Sequence, residues 1–231
     1  MNRLRVNLFV GVVAAMLLAL LLAPAVAQAA AWSVVASPNA TPGNNELHGV
    51  ASVSANDVWA VGTSDNSLGV NQTLILHWDG TAWSIVPSPT TGIVEGNLLG
   101  VAAVSTNDVW AVGSFLPTKG SGRALIEHWN GHKWSVVKSP TTGASTGLQA
   151  VAAISTNDVW AVGTSFNASG VEQTFIEHWN GKQWSIVASP SPSTQTNFLL
   201  GVTAVSTNDV WAVGQFTAAS GATQTLTEFN P

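Results

Sequence analysis

The chain has 231 residues, of which 46% are hydrophobic and only 8% are charged, and its formal net charge is −5. A protein this poor in basic residues is not expected to bind nucleic acid, because affinity for phosphates comes from clustered Lys and Arg. It contains no cysteine, so its stability must come from packing and from sheet closure rather than from disulfides.

Residues 1–29 have the pattern of a secretory signal peptide. Arg3 and Arg5 give a basic start, the apolar run 8–22 follows, and small residues around Ala27 and Ala29 offer cleavage sites. We therefore predict a secreted or cell-envelope protein that leaves the membrane after cleavage, with a mature domain of residues 30–231. The alternative is an uncleaved N-terminal anchor, since the apolar run approaches the length of a short membrane span.

A repeat of about fifty residues accounts for the eleven tryptophans. The sequence Asp-Val-Trp-Ala-Val-Gly begins at Asp57, Asp108, Asp158 and Asp209. In each of the first three repeats two further Trp residues follow at a constant spacing, as Trp78 and Trp83 do in the first. A fixed period of this length indicates a repeat architecture. The predicted repeats are 48–87, 99–138, 149–188 and 200–231.

Trp32 is in phase with the repeats although it precedes all of them. Its separation from Trp59 equals the separation of Trp83 from Trp110. Segment 31–37 therefore matches the last strand of a repeat, and the chain ends where the last strand of the fourth repeat is due. We predict that this segment supplies the missing strand.

Each repeat contains four strand patterns rich in β-branched and aromatic residues. The first is small and apolar, the second is the Val-Trp-Ala-Val-Gly sequence, the third ends in His-Trp, and the fourth begins with Trp-Ser. Asp79-Gly80, Asn130-Gly131 and Asn180-Gly181 are strong hairpin signals between the third and fourth strands. The first strands are predicted at 49–53, 100–104, 150–154 and 201–205, and the third at 73–78, 124–129 and 174–179.

Four antiparallel strands in about fifty residues form one blade of a β-propeller. We predict an all-β propeller of four blades, in which segment 31–37 closes the last blade and hides the two edges that an open array would expose. An open stack of blades and a ring closed by self-association are the alternatives.

The repeat resembles the kelch family over nearly all of the mature chain. The resemblance rests on Val-Trp-Ala-Val-Gly, on the following His-Trp-Asn-Gly, and on Trp134 and its equivalents. The usual kelch Gly-Gly pair is here a single glycine, such as Gly113. Asp-box propellers, which include the sialidases, are a weaker comparison, because Trp follows Asp by two positions here and Gly follows Trp.

These resemblances also exclude two activities. The copper oxidase related to kelch proteins uses a Cys–Tyr cofactor, and this chain has neither residue. Sialidases bind their substrate with an arginine cluster, and Arg123 is the one arginine after the leader. We predict no cofactor and no metal.

Residues that recur in every repeat are predicted to be structural. The Asp of each Asp-Val-Trp sequence is expected to cap the first turn by accepting backbone hydrogen bonds, and the Trp residues are expected to form the core. His77, His128 and His178 invite a zinc site, but strand spacing places the third strands roughly 10 Å outside the first, in different blades. Glu127 and Glu177 recur in register and are interpreted as scaffold.

The loops that differ between repeats are expected to lie on one face, because alternate connections of a blade emerge at the same end. Variable loops on a rigid scaffold usually carry binding sites. These loops are 63–72, 114–123, 164–173 and 215–223, with 38–47, 88–97, 139–147 and 189–198. The candidate ligand-binding residues on this face are Glu46, Asp65, Glu95, Phe115, Lys119, Arg123, Phe166, Glu172 and Phe216.

The predicted function is a secreted, non-enzymatic binding or scaffolding module for an unidentified protein, peptide or carbohydrate. It is expected to act as a monomer or as a self-closing homo-oligomer. The alternatives are a lyase or hydrolase acting on sugars or peptides at the loop-rich face, which requires at least two loop charges to converge, and a passive array without a ligand.

Overall fold

The computed structural model of the chain describes residues 31–89, 92–142 and 144–231. All strands in these residues lie in one compact unit, Ala36–Pro231, while residues 31–35 belong to a separate unit. The strands of the first blade are β1 (Asn45–Ser54), β2 (Asp57–Asp65), β3 (Asn71–Trp78) and β4 (Trp83–Ile85). Those of the second blade are β5 (Ile93–Ser105), β6 (Asp108–Pro117), β7 (Arg123–Trp129) and β8 (Trp134–Val136). The third has β9 (Thr146–Ser155), β10 (Asp158–Phe166), β11 (Glu172–Trp179) and β12 (Trp184–Val187), and the fourth has β13 (Asn197–Ser206), β14 (Asp209–Thr217) and β15 (Thr223–Asn230).

Each blade is an antiparallel meander in which strands pair in chain order. The first turn is closed by Ser54 Oγ, which accepts the N–H of Asn56 over 3.2 Å. The turn between the third and fourth strands places Gly80 at a φ of 94°, a conformation that favours glycine. The all-β fold and the strand predictions are confirmed, and the first strands extend further toward the loops than predicted, since β1 begins at Asn45 rather than Gly49.

The first strand of each blade packs closely against the first strand of the next. A Cβ atom on Gly49 would lie 3.0 Å from the carbonyl oxygen of Leu99, and one on Gly100 would lie 3.0 Å from the Cα of Ala150. Larger side chains at these positions would push the blades apart. This explains why the first strands are built from small residues.

A hydrophobic core is buried between each pair of neighbouring blades, where one face of a blade packs on the opposite face of the next. The forward face of a blade carries the Trp of Val-Trp-Ala-Val-Gly, and the backward face carries the first Val and the Ala of that sequence. In blade 1 the forward face includes Trp59, Val61 and Ile75, and it packs on Leu98 and Val109 of blade 2. The same forward-to-backward interface recurs between blades 2 and 3 and between blades 3 and 4. The prediction that the Trp residues form the core is confirmed for Trp59, Trp110, Trp134, Trp160 and Trp184, whereas Trp32 and Trp211 are exposed.

The Asp of each repeat does not cap the first turn, contrary to the sequence-based expectation. Asp158 Oδ1 accepts hydrogen bonds from His178 Nε2 and from Trp160 Nε1, both over 2.9 Å. Its Oδ2 accepts a third from Thr207 Oγ1 of the next blade over 2.7 Å. In blades 1 to 3 the serine hydroxyl of the turn performs the capping instead, and Asp158 ties strands and neighbouring blades together.

Blades 2 and 3 each have one buried glutamate that joins the blade to the segment preceding it. The Oγ of Ser88, which follows β4, donates to the carboxylate of Glu127 in blade 2 over 2.9 Å. Ser139 donates in the same way to Glu177 in blade 3 over 2.7 Å. Burial raises the pKa of both carboxyls to about 7, against the opposing effect of the serine hydrogen bonds. Their interpretation as scaffold is consistent with these contacts.

The four blades form an open array. A Cβ atom on Gly201 of blade 4 would meet only Val213 of the same blade, so β13 has no neighbouring first strand at this position. On the backward face of blade 1, Leu47 is 47% exposed, whereas its equivalent Leu98 is fully buried. On the forward face of blade 4, Trp211 is 44% exposed, whereas Trp110 is 1% exposed. The forward face of blade 4 is therefore uncovered, whereas on the backward face of blade 1 Leu47 is exposed but Ala60, Leu74 and Leu76 are buried.

The predicted closure of the last blade by segment 31–37 is not formed. In the part of the chain that the structure describes, the fourth sheet has three strands, β13, β14 and β15, and residues 31–39 contain no strand. Blade 4 does not lie next to blade 1, because a Cβ on Gly201 would meet no residue of blade 1 and the forward face of blade 4 is exposed at Trp211. The predicted signal peptide, residues 1–29, falls outside the described residues. No helix in the described ranges is long and apolar enough to cross a membrane.

Candidate ligand-binding face

The two ends of the blades differ in the length of their connections. At one end the side chain of Asn56 lies 2.8 Å from the position that a Cβ on Gly80 would take, so the two short turns are in contact. The opposite end, the loop face, carries the start of the first strand, the end of the second and the start of the third. This arrangement confirms that the short turns share one face and that the variable loops share the other.

A cleft of about 260 Å³ opens on the loop face between blades 1 and 2. We call it the acidic cleft. It is lined by Asn44, Glu46, His48, Thr63, Asp65, Asn71, Asn97 and Leu99. No Lys or Arg is among these lining residues, so the cleft presents negative charge, amides and hydroxyls.

The loop before β1 places the side chains of the acidic cleft. Asn45 Oδ1 accepts the N–H of Ala40 over 2.8 Å, and Asn45 Nδ2 donates to the carbonyl oxygens of Thr41 and Gly43 over 2.9 and 2.8 Å. One asparagine therefore ties down the whole loop on which Asn44 lies. Glu46 follows directly on β1 and is held in register by the pairing with Thr63 on β2.

Side-chain amides contact two carboxylates here, Asp65 in the acidic cleft and Glu95 beside it. Asn44 Nδ2 donates to Asp65 Oδ2 over 2.7 Å, and Asn71 Nδ2 lies 3.4 Å from Glu95 Oε1. Because a carboxylate has about four acceptor sites, each retains acceptor capacity for a ligand. The cleft thus offers oriented acceptors beside amide groups that both donate and accept.

A second cleft of about 360 Å³ lies between blades 2 and 3. We call it the aromatic cleft, and it is lined by Glu95, Gly96, Asn97, Ser114, Phe115, Leu116, Gly122, Ser145, Thr146, Gly147, Gln149, Thr164 and Phe166. Asn97 lines both clefts and is fixed by Ser114, whose N–H and Oγ donate to Asn97 Oδ1 over 3.0 and 3.1 Å. The two clefts are therefore neighbouring parts of one surface.

Five of the nine predicted ligand-binding residues meet on this surface. Glu46 and Asp65 line the acidic cleft, Phe115 and Phe166 line the aromatic cleft, and Glu95 lines the aromatic cleft while contacting Asn71 of the acidic one.

The other four predicted residues line neither cleft. Arg123 lines a third cavity with Lys138, and this cavity shares Phe115 and Thr146 with the aromatic cleft. Phe216 packs into the core between blades 3 and 4. Glu172 lies at the start of β11, where burial raises its pKa. Lys119 is exposed and lines neither cleft.

Several polar residues that line the acidic cleft were not among the predicted ligand-binding residues: Asn44, His48, Thr63, Asn71 and Asn97. A signal for Asn97 was present, because the position of Glu46 on the first strand is occupied by Asn97, Gly147 and Phe198 in the later repeats. A position that varies within an otherwise regular strand is as informative as a variable loop. It was overlooked because the first strand was predicted to begin at Gly49.

Comparisons with known proteins give structural likenesses only. No protein-family model matches the chain, and no curated protein matches it. The chain resembles YCF48 bound to D1 peptide with 14% identity and a TM-score of 0.42, over 80% of this chain and 70% of that one. It resembles the six-bladed fucose lectin of Aleuria aurantia with 16% identity and a TM-score of 0.43, over 74% of this chain and 52% of the lectin.

The chain thus spans about half the length of the Aleuria aurantia lectin. A fucose lectin from Kordia zhangzhouensis, in complex with methyl-fucoside, is 14% identical with a TM-score of 0.42, over 61% of this chain and 98% of that one.

Proposed function

We propose that this protein is a secreted, non-enzymatic binding module that takes a neutral carbohydrate at the acidic and aromatic clefts of its loop face. The observation that carries this proposal is the convergence of Glu46 and Asp65 with the amides of Asn44, Asn71 and Asn97 in one cleft.

The chemistry of the acidic cleft matches a chain of hydroxyl groups. Sugar hydroxyls donate to carboxylates and accept from side-chain amides, and hydrogen bonds to an ionised group are roughly twice as strong as neutral ones. Glu46, Asp65 and Glu95 would repel an anionic ligand, which favours an uncharged one. The cleft therefore offers acceptors to a sugar hydroxyl that donates a hydrogen bond and donors to one that accepts.

The aromatic cleft supplies the apolar part of the same surface. Phe166 is 36% exposed and lies in one cleft with Phe115 and Glu95. An apolar ring face contacts the C–H groups of a sugar, while neighbouring polar groups bind its hydroxyls. A ligand of two or more sugar units would reach from one cleft to the other across Asn97.

Secretion and the kelch relationship belong to the same proposal. The basic start, apolar run and small residues of 1–29 support export. The Val-Trp-Ala-Val-Gly sequence on the second strand and the Trp at the start of the fourth support blades of kelch type.

A glycan array probed with the exported protein tests this function. We expect binding to neutral oligosaccharides, and we expect Asp65→Asn to weaken it at least about tenfold, as loss of a charged hydrogen bond does. Asp79→Asn is the matched control, because it makes the same chemical change in a short turn where the other blades carry Asn130 and Asn180.

Three outcomes would contradict the proposal. They are the absence of any bound glycan, equal effects of Asp65→Asn and Asp79→Asn, and release of cleaved products from the bound oligosaccharide. The last would favour a hydrolase or lyase instead.

A further inference from the structure

A cavity of about 270 Å³ lies between blades 3 and 4 at the outer side of the array. Trp160 and Ile176 of blade 3 line one wall, and Val210, Thr227 and Phe229 of blade 4 line the other. Its surface is mainly apolar, and it lies apart from both clefts of the loop face.

The equivalent space between the other blades is filled by the first residue of a fourth strand. The ring centroid of Trp134 in blade 2 lies 5.3 Å from that of Trp59 in blade 1, edge to face. Trp184 of blade 3 lies 5.4 Å from Trp110 of blade 2 in the same geometry. Trp160 lacks this partner in the described residues, because the fourth strand of blade 4 is absent there. The cavity therefore has the position of one missing indole.

Within the described residues, the outer edge of β15 has no hydrogen-bonded partner strand. In blade 3 the equivalent strand pairs with a fourth strand, with Trp179 opposite Trp184 and Ile176 opposite Val187. Within the described residues, β15 pairs only with β14. An unpaired edge of this kind is a template for another strand.

Segment 31–37 has the sequence of that fourth strand. The separation of Trp32 from Trp59 along the chain indicates which blade the segment can join. Trp83 and Trp110 lie in adjacent blades, and Trp32 and Trp59 are separated by the same length of chain. The segment must therefore lie in the blade that faces the backward side of blade 1. Blade 4 of the same chain is not there, since a Cβ on Gly201 of β13 would meet no other first strand.

The two end faces correspond to the two halves of an interface that this chain already forms three times. The forward face of blade 4 exposes Trp211, Val213 and Phe229. The backward face of blade 1 exposes Leu47 and Val50 on its first strand, while its Ala60, Leu74 and Leu76 are buried. Their equivalents in the interior bury each other between successive blades. An exposed apolar surface of this type marks an interaction site.

We propose that a second copy of this chain docks head to tail on blade 4. Leu47 and Val50 on the backward face of its blade 1 pack on the forward face of blade 4, its segment 31–37 pairs with β15, and its Trp32 fills the cavity over Trp160. Because this contact joins two different surfaces, it closes into a ring when the rotation permits. A ring closed by two copies contains eight of these blades.

The register of the donated strand follows from blade 3. Trp32 lies opposite Asn230, Ser33 opposite Phe229 and Val35 opposite Thr227. Val34 then points outward like Val136 and Ile186, which are both exposed at the same position. Trp32 then faces blade 3, as Trp184 faces blade 2, and Val35 lies on the opposite face of the strand, as Val187 does.

The mass of the exported protein in solution, measured by light scattering across a concentration series, tests the proposal. We expect two copies for the natural chain. Trp32→Ser and Val35→Asp should each raise the dissociation constant by at least about thirtyfold, as removal of a buried anchor does. Val34→Ser is the matched control in the same strand and should leave the mass unchanged.

A labelled peptide of residues 30–38 provides a second measurement. It should bind to the Trp32→Ser protein, while the same peptide carrying Trp32→Ser should not. A natural chain that remains a single copy at all concentrations, or equal dissociation by Val34→Ser and Trp32→Ser, would overturn the inference. Neither result depends on glycan binding, so failure here is distinct from failure of the proposed function.

Discussion

His178 donates its Nε2 proton to Asp158 Oδ1 over 2.9 Å while its ring stacks on Trp160 with centroids 4.2 Å apart. The same triad forms in blades 1 and 2, where the His–Asp distances are 2.9 and 2.8 Å. Burial opposes ionisation of Asp158, but hydrogen bonds from Thr207 and His178 outweigh it and lower the pKa. The aspartate is therefore an ionised acceptor that ties the second strand to the third and to the next blade.

Replacement of His178 by Phe should destabilise the protein although the ring stacking is retained. Blade 4 naturally carries Phe229 on Trp211 at this position, so the aromatic contact is compatible with the fold. The variant leaves Asp158 with one hydrogen-bond donor fewer, and a loss of about 1–3 kcal/mol is expected. Urea unfolding of the natural chain and the variant measures it.

The control is the double variant His178→Phe with Asp158→Asn, which removes the buried charge along with its donor. It should be more stable than Asp158→Asn and His178→Phe would give by addition. Strict additivity of the two single changes would show that the pair is not coupled.

The buried glutamates predict a stability that decreases toward alkaline pH. The pKa values of Glu127 and Glu177 are raised to about 7 by burial, from the ordinary value of 4.5, so between these pH values the folded state binds protons that the unfolded state releases. Their contribution is complete below pH 4.5 and is lost as the pH rises through 7. The loss is on the order of 3 kcal/mol for each carboxyl by pH 8.

Thermal unfolding at pH 5, 6, 7 and 8 checks this dependence. Glu127→Gln should flatten the curve while keeping an acceptor for Ser88, and blade 1 already has the uncharged Leu76 at the equivalent position. Parallel curves for the natural chain and the Gln variant would show that Glu127 is not the titrating group.

The glycine that ends Val-Trp-Ala-Val-Gly is required by a close backbone approach. A Cβ on Gly113 would overlap the carbonyl oxygen of Asn97 on the neighbouring strand, next to the irregular register between Leu98 and Gly100. Gly113→Ala should cost roughly 2–4 kcal/mol, since backbone must shift to relieve the overlap.

Gly147→Ala is the matched control for this substitution. Its Cβ would lie 3.5 Å from the Cβ of Ser114, an ordinary contact, and we expect a change within about 0.5 kcal/mol. Equal destabilisation by the two alanines in urea unfolding would contradict the packing argument.

The sequence by itself determined the strands, the blade and the division between structural and variable positions. The spacing of Trp59, Trp78 and Trp83 and the turn at Gly80 are local signals, and local signals suffice for hairpins that pair in chain order. They also predicted a fourth strand at Trp32, which the structure does not form, and placed Asp65 and Phe166 on the loop face.

Only the tertiary structure decided which groups meet across strands and blades. Asp57 and His77 are far apart in the chain and come together through the register of β2 and β3, which is why the aspartate was expected to cap a turn. Asn97 joins two clefts because it lies where three blades approach each other.

Whether the two ends of the array meet was also decided only by the tertiary structure. The period of the repeat predicts that Trp32 belongs next to blade 1, but whether the fourth blade arrives there depends on the angle between blades. That angle is set by the close contacts at Gly49 and Gly100 and by the cores between faces, and it accumulates over three interfaces. No local pattern encodes the sum, so the open array with uncovered Leu47 and Trp211 was visible only in the structure.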